Sequence, residues 1–72
     1  MEIQLFATLR ENRQKVVEVE WREGMDGYAL FAALDIELAD VSIFLINGMQ
    51  SKPDATLKAD DIVALFPPVG GG

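Results

Sequence analysis

Apolar and polar side chains alternate from the second residue onward. The stretch EIQLFATL, Glu2 to Leu9, predicts a strand with Ile3, Leu5 and Ala7 on one face and Gln4, Phe6 and Thr8 on the other. RENRQ, Arg10 to Gln14, is a polar connection short enough for a hairpin. KVVEVEW, Lys15 to Trp21, alternates more cleanly, with Val17, Val19 and Trp21 inward and Glu18 and Glu20 outward. Asp26 then predicts a helix cap, and the helix runs to about Leu34 with Leu30, Ala33 and Leu34 at i, i+3 and i+4. Gly27 weakens its first turn. Asp35 to Asp40 shows no clear periodicity. Val41 to Gln50 is the most apolar run, and Ile43, Phe44, Leu45 and Ile46 suit an interior strand. Asn47-Gly48 is a two-residue turn signal, so Met49 to Lys52 folds back as a short strand. PDATLKADD is turn-rich, with Leu57 as a plug beneath it and Asp60 and Asp61 as a solvated turn. IVALF, Ile62 to Phe66, is the last strand.

This order of strands around one helix predicts an α+β fold: a mixed sheet of four to five strands packed on one main helix, with the opposite sheet face open. It suits a ubiquitin-like β-grasp, whose first and last strands lie parallel at the centre, joined by everything between them. The domain spans residues 1–66, and residues 67–72 form a flexible tail ending in Gly-Gly. Parity then places two aromatic rings. If Ile3 and Leu5 face the helix, Phe6 faces away from it. If Val63 and Leu65 face the helix, so does Phe66 face away. The two rings share the open face at the root of the tail, where clustered apolar side chains mark a docking surface; loop coverage or core packing of one or both rings is the alternative.

Composition narrows the chemistry. The chain has 72 residues, 50% hydrophobic and 25% charged, an ordinary balance for one small domain. It has no cysteine and no histidine. That excludes a disulfide framework, a thiolate or imidazole zinc site, and the usual side chains for nucleophilic or general-base work at neutral pH. Scattered carboxylates support no metal site. Twelve acidic against six basic residues give a formal net charge of −6. This argues against nucleic acid and favours a basic partner surface, or simply solubility. No apolar stretch approaches a membrane span or signal peptide, so a cytoplasmic location and no membrane partner are expected.

The ending FPPVGGG, Phe66 to Gly72, is the plausible reactive group. Pro67 and Pro68 lack an N–H and fix φ, so they stop sheet pairing and favour a stiff, extended exit; Pro67 also biases Phe66 toward extended geometry. From Pro67 the tail reaches at most roughly 20 Å, enough to enter a neighbouring active site. Val69 continues the exit, and Gly70, Gly71 and Gly72 lack the Cβ atoms that a narrow channel would exclude. A terminal carboxylate on Gly72 is a poor acyl donor and needs activation, for example as an acyl-adenylate. Gly70 to Gly72 precede neither helix nor lysine and form no phosphate-binding loop. The chain is therefore expected to bind no cofactor itself, with ATP used by a partner adenylating enzyme.

These residues resemble a known family. DDIVALFPPVGGG, together with LFATLRE (Leu5 to Glu11), INGMQ and TLKADD, is similar to MoaD/ThiS-like sulfur carriers, the molybdopterin-synthase small subunits and thiamine-pathway carriers. The Phe-Pro-Pro-Val-x-Gly-Gly ending resembles the molybdopterin branch more than the thiamine branch. The resemblance implies a β-grasp fold and a carrier mechanism. A ubiquitin-activating-type enzyme adenylates Gly72, a sulfur donor converts it to a thiocarboxylate, and the large subunit of molybdopterin synthase or another acceptor receives the tail. It also implies that Gly71 and Gly72 enter the partner sites and that Phe6 and Phe66 lie at the apolar partner interface, beside Pro67, Pro68, Val69 and Gly70. A ubiquitin-like modifier forming isopeptide bonds with lysines would use the same tail, and an interaction module with an idle tail is the third reading.

Overall fold

The computed structural model of the protein describes residues 1–11 and 13–68. Five strands form one sheet: β1 (Glu2–Leu5), β2 (Val16–Glu18), β3 (Ile43–Ile46), β4 (Met49–Gln50) and β5 (Ile62–Phe66). Their order across the sheet is β2-β1-β5-β3-β4. A single α-helix, α1 (Gly27–Ala33), and two 3₁₀ turns, Ala7–Arg10 and Leu38–Asp40, complete the described elements. β5 lies at the centre, parallel to β1 and antiparallel to β3. This is the expected β-grasp.

The register follows from the alternation. Ile3 pairs with Val63 and Leu5 with Leu65 across the parallel ladder, and all four are fully buried against the helix side. Leu30, Phe31, Phe44 and Leu57 complete this layer, with Phe31 and Phe44 edge-to-face at 5.3 Å between centroids. Burial of each such side chain contributes about 1.5–3 kcal/mol. Val17, Val19 and Trp21 pack half-buried against the same core, as their alternation predicts. The Trp21 indole N–H donates to the Leu57 carbonyl at 2.9 Å, which fixes the plug under its loop.

Three local expectations need correction. The first strand stops at Leu5 rather than continuing to Leu9, because the chain bends at Ala7 with φ of +52° and enters the 3₁₀ turn. Ala7 is exposed and Leu9 takes the core position instead. The connection to β2 is consequently longer than the predicted five-residue loop, and β2 ends at Glu18. On α1 the buried residues are Leu30 and Phe31 with Leu34 half-buried at its end, while Ala33 is exposed.

The third correction concerns Asp61, which is 5% exposed and no part of a solvated turn. Its carboxylate accepts from the Asn47 side-chain amide at 2.8 Å and from the Lys58 backbone N–H at 2.7 Å. The Asn47 carbonyl oxygen in turn accepts from Ile62 N–H at 2.9 Å. The β3–β4 turn and the entry to β5 are thereby locked together. Asn47 and Gly48 both have positive φ, +53° and +83°, as the tight turn between antiparallel strands requires.

Candidate functional site

β1 and β5 end side by side, and their last outward-facing positions build the site. Phe6 follows buried Leu5, Phe66 follows buried Leu65, and both rings lie on the face away from α1. They stack at 4.3 Å between centroids with planes 7° apart. Both are half-buried. Much of their shielding is mutual, so the pair leaves an apolar surface outward. Ile43 pairs with Phe66 across the β5–β3 ladder and is 39% exposed. Ala64 and Leu45 continue the apolar stripe along the same face. The opposite end of the face carries acidic groups beside an apolar one: Glu2 pairs with Glu18, Gln4 donates to the Glu2 carboxylate at 2.9 Å, and Ile62, 46% exposed, pairs with Glu2 across the parallel ladder.

The root of the tail is fixed by the last sheet bonds. Phe6 N–H donates to the Leu65 carbonyl at 3.2 Å and Ser42 N–H to the Phe66 carbonyl at 2.7 Å. Pro67 is half-buried, Pro68 is exposed, and neither can donate a further ladder bond. Sheet pairing therefore stops where the prolines begin. Val69, Gly70, Gly71 and Gly72 lie outside the described residues.

Arg10 also belongs to this site, although the alternation pattern misses it. The bend at Ala7 folds the 3₁₀ turn back over the end of β1. The Arg10 guanidinium carbon lies 5.5 Å from the centroid of Phe6, and Arg10 Nε donates to the Leu5 carbonyl at 2.7 Å. The four-residue spacing from Phe6 to Arg10 is the available sequence signal, but it has meaning only where the chain turns. Read as a continuing strand, it separates the two side chains.

No group of three or more metal-ligating side chains occurs among the described residues, and none of their helices is long and apolar enough to cross a membrane. Two concavities, of about 370 and 560 Å³, lie elsewhere: one is lined by residues including Tyr28, Phe31 and Ile36, the other by residues including Arg22, Met25 and Ala29. Neither includes a residue of the aromatic face. The site is thus a sheet surface at the end of the central strand β5, where Pro67 and Pro68 follow.

A mixed five-stranded sheet clasping one helix, with its parallel terminal strands at the centre, defines a ubiquitin-like protein of β-grasp architecture. The ThiS family matches residues 3–72. The chain belongs to the ThiS family. It is similar to the crystal structure of SAMP1 from Haloferax volcanii, with 34% identity and a TM-score of 0.75 over 99% of this chain and 97% of that one. It is also similar to the crystal structure of H. volcanii small archaeal modifier protein 1, with 32% identity and a TM-score of 0.74 over 94% and 95% of the two chains. No curated protein matches the chain.

Proposed function

We propose that this protein is a sulfur carrier acting through the carboxylate of Gly72. The observation that carries the reading is family membership extending through Gly72. The aromatic pair at the root of the tail supports it. In the proposed sequence a ubiquitin-activating-type partner docks on the Phe6 and Phe66 face and receives Gly70, Gly71 and Gly72. The carboxylate attacks ATP to give an acyl-adenylate and pyrophosphate. A sulfur donor then displaces AMP and leaves a thiocarboxylate. Pro67, Pro68 and Val69 serve as the stiff exit that carries the glycines away from the sheet. The proposed destination of the sulfur is a pterin precursor, on the strength of the Phe66-Pro67-Pro68-Val69 run; a thiamine-pathway acceptor is the alternative.

Incubation with ATP, sulfide and the cognate adenylating enzyme, followed by intact mass spectrometry, tests the carrier role. The expected result is a mass gain corresponding to one oxygen replaced by one sulfur. A chain lacking Gly71 and Gly72 should keep its fold and show no gain. An unchanged mass for the full chain would remove the carrier reading. Complementation of strains lacking either the molybdopterin-synthase small subunit or the thiamine-pathway carrier separates the two destinations.

The similarity to small archaeal modifier protein 1 favours a second reading, a ubiquitin-like modifier joined through Gly72 to lysine side chains. It shares the adenylation step and differs in the nucleophile. Higher-mass conjugates on blots against the protein, absent after deletion of the last two glycines, would support this use.

A further inference from the structure

The Arg10 side chain has features that neither core packing nor the tail chemistry uses. Its Nε is committed to the Leu5 carbonyl at 2.7 Å, and its guanidinium carbon is stationed over the Phe6 ring. The guanidinium carries further N–H donors on its two terminal nitrogens, beyond the Nε that Leu5 engages. Among the described residues no carboxylate forms an ion pair with it, the one close pair there being the N-terminus with Glu18 at 3.4 Å. Arg10 is exposed, yet two contacts hold it in place. The backbone conformation that brings it there, Ala7 at φ of +52°, is unfavourable for an alanine.

The open face is also electrically one-sided. Arg10 marks the end where the tail leaves, beside Phe6 and Phe66, while Glu2 and Glu18 pair at the other end of the same face. A partner lying on the apolar stripe in the correct direction meets a cation near the tail and anions away from it. Turned around, it would place like charges together, which costs affinity.

We propose that Arg10 is a specificity-determining residue of this docking face, whose guanidinium pairs with a carboxylate on the activating partner and orients that partner so that the tail points into its catalytic slot. The inference rests on the carrier reading above. The partner surface is then apolar opposite Phe66 and Ile43, acidic opposite Arg10 and basic opposite Glu2 and Glu18. A planar guanidinium backed by an aromatic ring suits two-point pairing with a carboxylate, which a lysine ammonium cannot reproduce.

The test measures the dissociation constant of the full-length chain for the cognate adenylating enzyme, first without nucleotide and then with ATP, for wild type, Arg10→Lys, Arg10→Gln and Arg10→Glu. The Phe6 and Phe66 ring signals of each variant are followed by NMR. The expected order of affinity is wild type, Lys, Gln, Glu, with Arg10→Gln about tenfold weaker than wild type. The Gln and Glu variants should share the same ring signals, so that the affinity difference between them follows charge rather than packing. Equal affinity for the Gln and Glu variants, or wild-type affinity for either, would overturn the proposal. So would a loss seen only when ATP is present, which assigns the guanidinium to a phosphate. Failure of the wild-type chain to bind would overturn the carrier reading and this inference together, whereas wild-type binding with charge-independent variants would overturn this inference alone.

Discussion

Asp61 shows how one side chain can join segments that the sequence separates. Its carboxylate is buried at 5% exposure and holds both the Asn47 amide and the Lys58 N–H. Replacing it with alanine leaves the Asn47 side-chain amide and the Lys58 N–H without their acceptor. Asp61→Ala should therefore destabilise the fold by about 2–3 kcal/mol, read as a lower denaturant midpoint at unchanged slope. Gly27 is constrained by proximity. A Cβ there would lie 2.5 Å from the Pro53 carbonyl oxygen and 2.7 Å from a Phe44 ring carbon. Gly27→Ala, favourable by helix propensity alone, should instead be destabilising by about 1–3 kcal/mol in the same denaturation measurement. Neither role can be read from the chain. Asp61 sits in a polar, turn-rich run and its partner is fourteen residues away; Gly27 reads as a weak helix start because the Pro53 backbone that requires it is remote in sequence. The Phe6 and Phe66 placement, by contrast, is legible, because strand parity depends only on neighbouring residues.

Elements follow local rules where caps and turns are explicit. Asp26 accepts from Ala29 N–H at 3.0 Å and starts α1 where the sequence places it. Removing this cap in Asp26→Ala should cost about 1 kcal/mol of stability, checked by thermal denaturation. The Asn47-Gly48 turn also appears where its chemistry predicts. The first strand illustrates the opposite case. Its alternation continues to Leu9, but the backbone leaves the sheet at Phe6 and turns at Ala7, a residue with no preference for positive φ. Burial of Leu9 is the compensating gain. The bend was hidden because the favourable term is tertiary and the unfavourable one local. With it was hidden the position of Arg10, which depends on the bend entirely.

For the whole molecule, the order β2-β1-β5-β3-β4 puts the most protected backbone directly before the tail. Amide hydrogen exchange should be slowest within β5, at Val63 and Leu65, and fastest within the two-residue edge strand β4. The stacked pair lies outside the main core. Phe66→Ala should leave a folded sheet by circular dichroism, with a stability loss of about 1–3 kcal/mol from the lost stacking and partial burial. On the carrier reading it should also reduce docking, measured as weaker binding to the adenylating enzyme.

The central strand being late in the chain has a consequence during synthesis. β1 is made early, but its parallel neighbour β5 emerges only after about sixty more residues have been added, at a rate of about 5–20 residues per second. Until then β1 and β3 have no strand between them, and the helix has no complete sheet to cover. The ring of Phe66 meets Phe6 only as that final strand closes. The aromatic face of a growing chain therefore stays unfinished until β5 has been made and has joined the sheet.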